Sequence, residues 1–177
     1  MINVIETNIK DLKIIEPSIF KDSRGYFYEV FNHEVFNDKV GKINFIQDNE
    51  SKSSFGVLRG LHYQKEPYAQ SKLVRVIKGE IQDVAIDLRK DSKTYLKYVS
   101  VLLNDKNKKQ FFIPKGFAHG FLVLSKTATV SYKVDKPYKP EFESGIIFNH
   151  SKLNIKWNLD LNEIKLSNKD LNIVSEL

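Results

Sequence analysis

The chain has 177 residues, a net charge of +6 and no cysteine, which suits one domain and excludes a disulfide framework or a thiolate metal site. No apolar run approaches the ~20 residues of a membrane span, and "MINVIETNIKDL" at the start lacks a signal-peptide pattern, so we expect a cytoplasmic protein without a membrane partner. Lysines are spread along the chain and no helix-turn-helix, RNP or zinc-finger pattern is present, so we expect no nucleic-acid partner.

Short strands separated by Gly, Pro, Asn and Asp clusters are the main predicted elements. A first strand at Tyr26–Phe31 is followed by a turn or two of helix at His33–Lys39. Lys72–Ile77 and Ile81–Leu88, joined through Gly79, read as a β-hairpin whose second arm has the period-two pattern of a half-buried strand. Later strands are predicted at Tyr98–Leu103, Phe111–Ile113, Phe121–Leu124 and Thr127–Val134.

The number and spacing of these strands are typical of an antiparallel sandwich or barrel of the jelly-roll kind. Helical patterns are short and lie near the ends of the chain, the last one after "LSNKD", where Ser167 can cap a helix. No repeat, linker or low-complexity segment interrupts the sequence. We therefore predict a mainly β fold in which residues 1–177 form a single jelly-roll domain with short terminal helices.

Strand parity places polar side chains on the inner face of this barrel. In "TATVSYKV" Tyr132 shares a face with the apolar Ala128 and Val130, and in "KLVRVI" Lys72 shares a face with Val74 and Val76. The segment "RGLHYQ" adds three more polar residues: Arg59, His62 and Gln64. Buried ionisable groups are costly unless they are paired. The inner face therefore predicts a polar pocket that binds a ligand.

Two cupin motifs are present but altered at their metal ligands. "PKGFAH" has the P-x-G-x-x-H spacing of the second motif, while Lys72 and Gly79 occupy the ends of the E-x6-G part of the first. Cupins usually bind a divalent metal through an H-x-H pair, a glutamate and a later histidine. Here Gln64 replaces one histidine and Lys72 the glutamate, which leaves only His62 and His119. We therefore expect no metal, with a metal-dependent cupin enzyme as an alternative.

The chain resembles the dTDP-4-dehydrorhamnose 3,5-epimerase family over nearly its whole length. The segments that carry the resemblance are "FKDSRGYFYEVF", "FIQDNESKSSFGVLRGLHYQ", "AQSKLVRVIKGEIQDVAIDLR", "IPKGFAHGFLVL", "YKVDKPYKPEFESGI" and "LSNKD". The resemblance implies a double-stranded β-helix, or jelly roll, that forms homodimers without a metal or another cofactor. It also implies a nucleoside-diphosphate 4-keto-6-deoxy sugar as substrate.

The resemblance also implies a division of catalytic roles. His62 would be the base that removes a proton next to the C4 ketone, and Asp170 would orient its ring and support the imidazolium. Lys72 would place a positive charge beside the enolate oxygen. Tyr132 would return a proton from the opposite face, which inverts the stereocentre.

The remaining matched positions are implied to bind the substrate. Arginine suits phosphate oxygens, and the residues expected around the sugar and diphosphate are Arg24, Glu29, Gln47, Asn49, Arg59 and His119. Tyr138 would stack on the nucleobase, and Glu143 would help to hold that end. Phe27, Phe45 and Phe121 are interpreted as core residues.

The chain departs from the family pattern in "KPYKPEFESGIIFNHSKLNIKWN". Pro137 stands where a tyrosine is frequent, Phe148 replaces a tryptophan, His150 an aspartate and Asn158 a proline. These positions leave the reaction intact and leave the nucleotide and sugar open. The substrate is dTDP-4-dehydro-6-deoxyglucose or a GDP-4-keto-6-deoxyheptose, in a capsule or lipopolysaccharide pathway, with epimerisation at C3, C5 or both. A non-catalytic sugar-nucleotide-binding jelly roll is the alternative from another class.

Overall fold

The computed structural model describes residues 2–173, whose strands form two larger antiparallel sheets and a small hairpin. Strands are numbered in chain order. The first sheet contains, in spatial order, β1 (Ile2–Glu6), β2 (Lys13–Pro17), β10 (Gln110–Ile113), β7 (Lys72–Lys78), β12 (Thr127–Val134) and β5 (Gln47–Ser54). The second contains β13 (Glu143–Gly145), β6 (Leu58–Gln64), β11 (Phe117–Val123), β8 (Glu80–Asp87) and β9 (Tyr98–Asn104).

The hairpin and the helices lie outside these sheets. The hairpin pairs β3 (Phe20–Asp22) with β4 (Gly25–Phe27), and the helices are α1 (His33–Lys39) and α2 (Asn168–Leu171). Two 3-10 turns span Pro140–Phe142 and Leu161–Glu163. Within the described residues, no helix has the length and apolar character needed to cross a membrane.

The main core lies between the facing sheets. Val74 and Val76 of β7 and Val130 of β12 pack in one buried cluster with Ile81 and Ala85 of β8. Burial of such side chains contributes about 25 cal/mol per Å² of apolar surface removed from water. The predicted mainly β jelly roll is confirmed.

The inner face of the first sheet follows the predicted parity. Ala128 and Val130 are buried, and Tyr132 packs against the same cluster from the next inward position of β12. Lys72 has the parity of Val74 on β7, and both it and Tyr132 line the cavity between the sheets. Period-two alternation therefore located both polar groups on the correct side of the sheet.

The predicted hairpin between β7 and β8 is wrong. The strand β7 pairs with β10 and β12, whereas β8 pairs with β9 and β11 in the other sheet. Gly79, with φ +86°, turns the chain from one sheet to the other, and a Cβ there would overlap the Thr127 carbonyl. Two strands with alternating apolar residues on either side of a glycine have the same sequence pattern whether they pair with each other or lie in different sheets.

The strand β8 is buried on both faces, so its interpretation as half-buried is also wrong. Its inner side chains join the main core, while Val84 and Ile86 form a second cluster under Leu153 and Trp157. Residues from the last part of the described chain thus cover the outer face of this sheet. This cover depends on contacts between distant segments, which the local pattern of β8 does not contain.

The N-terminal predictions are confirmed in part. Helix α1 has the predicted bounds, and the Asn32 side chain caps it by accepting a hydrogen bond from Val35 N. The predicted strand Tyr26–Phe31 ends at Phe27, which is 71% exposed and therefore not a core residue. Phe45, in contrast, packs in a third cluster with Phe36.

Candidate active site

A cavity of about 270 Å³ opens between the two sheets, and all four predicted catalytic side chains line it. His62 and His119 come from neighbouring strands of the second sheet, where they are direct register partners. Lys72 and Tyr132 come from neighbouring strands of the first sheet. The imidazoles and the phenol therefore stand on opposite walls of one cavity.

His62 is paired with Asp170, as predicted. Their Nε2 and Oδ1 atoms are 2.6 Å apart in a contact that is bent away from a linear hydrogen bond. Burial raises the pKa of Asp170, but His62 and the Ser167 hydroxyl outweigh it and hold that pKa below its ordinary value. A neutral His62 that donates from Nε2 keeps Nδ1 free to accept a proton.

Asp170 is held by the start of helix α2. The Ser167 hydroxyl donates to Asp170 Oδ2 at 2.8 Å, and Asp170 N donates to Ser167 Oγ at 3.1 Å. Ser167 is thus the predicted helix cap and also a hydrogen-bond donor to the carboxylate that faces His62. The hydrogen bond from Ser167 to the Asp170 carboxylate was not predicted from the sequence.

A second imidazole and carboxylate pair, between His119 and Asp83, lies beside the first. His119 Nε2 and Asp83 Oδ1 are 2.5 Å apart, and Asp83 is fully buried. Asp83 was not predicted, because β8 has the period-two pattern of a half-buried strand, in which the polar face is expected to meet solvent. The parity of Asp83 with the apolar Ile81 and Ala85 was the available signal.

Lys72 and Tyr132 have shifted pKa values that suit their predicted roles. Burial lowers the pKa of Lys72 from 10.5 to about 8, although the negative charges of Asp83 and Glu143 oppose this shift. Burial raises the pKa of Tyr132, opposed by the charge of Arg59. At neutral pH, Lys72 is therefore a cation and Tyr132 a protonated acid.

The rim of the cavity carries Tyr138 and Glu143, as expected. The Tyr138 hydroxyl donates to Glu143 Oε2 at 2.6 Å, and Lys169 Nζ donates to the same oxygen at 2.5 Å. Tyr138 is half exposed, so one face of its ring is open to a ligand. Lys169, which the sequence analysis did not single out, adds a positive charge at this end.

The predicted polar residues of β5 lie next to the same cavity. An adjoining space of about 400 Å³ is lined by Gln47, Asn49 and Tyr138, and it shares His62 and Lys72 with the first. Gln47 Nε2 donates to Asn49 Oδ1 at 2.8 Å. The two spaces thus form one elongated site.

Arg59 enters the first cavity from β6. Its Nε donates to the Ser53 hydroxyl at 3.0 Å. Ser51, which was not predicted, lies in the same cavity with a buried hydroxyl that has no protein partner. Phe121, interpreted as core, is buried and also lines this cavity.

Arg24 and Glu29 are not brought into this cavity by the fold of one chain. Arg24 lies at the turn of the β3–β4 hairpin, 88% exposed and paired with Asp22 at 2.6 Å. Glu29 accepts a hydrogen bond from Asn32. Phe20, Tyr26 and Phe27 expose aromatic rings on the same hairpin. The assignment of Arg24 and Glu29 to substrate binding therefore stays a prediction.

The donor set of the cavity does not resemble a metal site. Within residues 2–173, no group of three His, Asp or Glu side chains is arranged to hold a metal ion. Each of the two cavity histidines instead faces its own carboxylate.

A jelly roll whose cavity holds imidazoles and a phenol on opposite walls is suited to proton transfer at carbon, which is the chemistry of an isomerase. The family model described as dTDP-4-dehydrorhamnose 3,5-epimerase matches residues 6–175. The chain belongs to that family. The predicted activity class, an epimerase acting on a nucleotide sugar, is confirmed.

Individual relatives match over nearly their full lengths. A dTDP-4-dehydrorhamnose 3,5-epimerase from Shigella flexneri is 53% identical over 171 residues, which are 96% of this chain and 93% of the relative. A solved dTDP-6-deoxy-D-glucose-3,5-epimerase from Legionella pneumophila, in complex with dTDP-4-keto-L-rhamnose, is 48% identical with a TM-score of 0.94, covering 98% of this chain and 92% of that one. The corresponding enzyme from Bacillus anthracis, with TDP and pyrophosphate bound, is 43% identical with a TM-score of 0.95, covering 98% and 99%.

Proposed function

We propose that this single-domain protein inverts both C3 and C5 of dTDP-4-dehydro-6-deoxyglucose and thereby forms the precursor of L-rhamnose in cell-surface polysaccharides. The observation that carries the proposal is the arrangement of the His62–Asp170 pair and Tyr132 on opposite walls of one cavity. The relatives named above support a dTDP sugar over a GDP-linked heptose. A cytoplasmic setting is proposed with it, because nucleotide sugars are formed from the intracellular nucleotide pool.

The reaction begins with proton removal. His62 takes the proton from the carbon next to the C4 ketone, and the electron pair of the C–H bond moves to the carbonyl oxygen as an enolate. Asp170 stabilises the imidazolium that forms, and the Lys72 ammonium stabilises the enolate oxygen. A preorganised charge of this kind contributes about a hundred- to a thousandfold in rate.

The reaction ends with protonation from the other wall. Tyr132 gives its hydroxyl proton to the same carbon on the opposite face, and the ketone re-forms. The stereocentre is inverted, while the phenolate and the imidazolium regain their starting states by proton exchange with solvent. The C4 ketone acidifies C3 and C5 alike, so one set of residues serves both carbons in turn.

Binding is assigned along the elongated site. Arg59 and Lys169 supply positive charge for the diphosphate, and Ser51 offers a hydroxyl without a protein partner. The other proposed contacts are Gln47 and Asn49 with the diphosphate end, His119 with the sugar, Tyr138 stacked on the nucleobase and Glu143 beside it.

A homodimer is proposed to complete the site. The β3–β4 hairpin exposes Phe20, Tyr26 and Phe27, and it carries Arg24 away from the cavity of its own chain. Such an aromatic surface is characteristic of a protein contact. We propose that this hairpin and the residues directly after it cover a second copy and present Arg24 and Glu29 to the nucleotide in that copy.

The reaction is tested by incubating the enzyme in deuterated water with dTDP-4-dehydro-6-deoxyglucose and, separately, with the GDP-linked heptose. We expect deuterium at C3 and C5 of the dTDP sugar and none after His62→Ala. The absence of exchange with both substrates would refute the epimerase proposal. Faster exchange in the GDP-linked heptose than in the dTDP sugar would show that the natural substrate carries GDP.

The dimer is tested by mixing two inactive variants, His62→Ala and Arg24→Ala. If the hairpin serves the partner, a mixed dimer contains one site with both an intact base and an intact arginine, so activity returns. If Arg24 serves its own chain, every site in the mixture is defective and activity does not return. A size measurement of the variants confirms that both still associate.

A further inference from the structure

Gln64 is the residue of "RGLHYQ" that the proposed reaction leaves without a task. It lies at the end of β6, 6% exposed, and both the nitrogen and the oxygen of its side-chain amide are hydrogen-bonded to the backbone. Its Nε2 donates to Tyr68 O at 2.6 Å and to Pro137 O at 3.1 Å, and its Oε1 accepts from Lys139 N at 2.6 Å. Both N–H groups of the Gln64 amide are therefore used by the protein itself.

The two groups that Gln64 binds in the later segment flank Tyr138. The carbonyl before Tyr138 and the amide N–H after it both pair with one side-chain amide, as they would with the backbone of a neighbouring strand. Residues 135–139 belong to no strand or helix, so they lack a regular hydrogen-bond ladder of their own. Gln64 thus supplies the two backbone contacts next to Tyr138, while Gln70 Nε2 donates to Lys136 O at 2.8 Å and Ser71 N donates to Asp135 Oδ1 at 2.7 Å earlier in the loop.

We propose that Gln64 is a positioning residue for nucleotide recognition, which holds Tyr138 in its binding position before the nucleotide arrives. The inference rests on the proposed stacking of Tyr138 on the nucleobase. Ordering a loop during binding costs affinity, and a loop that is already ordered avoids this cost. In the cupin pattern this position is the second histidine of H-x-H. Here its side chain holds a loop instead.

The chain contains a matched control in Gln82, on β8. Gln82 is 1% exposed; its Nε2 donates to Lys156 O at 2.8 Å and its Oε1 accepts from Asn158 N at 2.8 Å. It therefore holds the backbone on both sides of Trp157 in the same manner. That segment covers the outer face of the second sheet and does not line the cavity.

The experiment measures the dissociation constant of dTDP by calorimetry and the thermal midpoint for each variant. If Gln64→Ala leaves the loop in its binding position about a tenth of the time, the dissociation constant rises about tenfold. Gln64→Leu, which keeps most of the volume, has the same effect. Gln82→Ala lowers the thermal midpoint but leaves the dissociation constant within about twofold.

A double-mutant cycle separates positioning from a general loss of structure. If Gln64 acts through Tyr138, the pair Gln64→Ala and Tyr138→Ala binds dTDP no more weakly than Tyr138→Ala alone. Additive losses would overturn the inference, and so would unchanged affinity in both Gln64 variants. Unchanged affinity in Tyr138→Ala would instead show that the nucleobase assignment in the proposed function is wrong.

Hydrogen exchange in the unmodified protein tests the same idea without a folding risk. The Lys139 amide, bonded to Gln64, is expected to be protected in the absence of dTDP. Free exchange that becomes slow only when dTDP is added would show that the ligand, rather than Gln64, orders the loop.

Discussion

Replacing Lys72 by methionine should stabilise the fold while it destroys the activity. Burial lowers the pKa of Lys72 from 10.5 to about 8. This shift means that the charged ammonium lowers the free energy of unfolding by about 3 kcal/mol near neutral pH. Lys72 is partly exposed to the cavity, which makes this figure an upper value. Methionine has a similar length and no charge to desolvate.

The stability difference between Lys72→Met and the unmodified protein should depend on pH. Below about pH 8 both the folded and the unfolded chain carry the charged lysine, so the whole cost is present. Between about pH 8 and pH 10.5 the unfolded chain binds more protons than the folded chain, so the stability of the unmodified protein rises with pH. The advantage of Lys72→Met should therefore shrink through this interval and vanish above it.

Urea unfolding followed by the fluorescence of Trp157, at a fixed protein concentration, measures the effect near pH 7 and near pH 10.5. Lys78→Met, an exposed lysine on the same strand, is the control and should change stability little. Deuterium exchange at C3 and C5 should fall about a hundred- to a thousandfold in Lys72→Met. A variant that is less stable than the unmodified protein near pH 7, or equally stabilised at both pH values, would refute the reasoning.

Three further outcomes follow from the structure. Tyr132→Phe should lose about a hundredfold in net inversion while deuterium exchange continues, because the base is intact; complete loss of exchange would contradict the division of roles. Gly60→Ala should destabilise the fold by about 3 kcal/mol or more in urea unfolding, since its Cβ would lie 2.6 Å from Gly120 Cα. Burial raises the pKa of Asp87, but hydrogen bonds, led by those from Arg89, hold this pKa well below its usual value. The unmodified protein should therefore be more stable than Asp87→Asn above about pH 4, and this difference in stability should decline as the pH falls.

Strand parity predicted which polar side chains of the first sheet line the cavity, whereas the catalytic roles came only from the family resemblance and stay predictions. Tyr132 could be assigned because the apolar residues of β12 alternate without interruption, and every second position faces the core. Lys72 followed from the same rule on β7. His62 and Asp170 depended on the family resemblance, because nothing local to "LSNKD" shows that it reaches β6.

The missed features all depend on contacts between distant segments. Asp83 was missed because β8 has the pattern of a half-buried strand, and the residues that bury its outer face, Leu153 and Trp157, lie about seventy positions later. Gln64 was grouped with its motif neighbours, although its partners include the backbone on both sides of Tyr138. Arg24 and Glu29 share sequence motifs with family members, yet one folded chain does not carry them to the cavity. A sequence motif shows which residue types are present, but it does not show whether they belong to the site of their own chain or of a second copy.

The two-layer architecture itself accounts for inversion as the outcome of the chemistry. Inversion requires that the sugar carbon loses its proton on one face and that the planar enolate so formed gains a proton on the other face. The base and the acid must therefore stand on opposite sides of a space wide enough for a sugar ring. Facing sheets provide this separation because their strands are joined within each layer and not across the cavity. His62 and Tyr132 are each held by the ladder of their own sheet. Moving both groups to one wall would return the proton to the face it left, and the sugar would exchange hydrogen without changing its configuration.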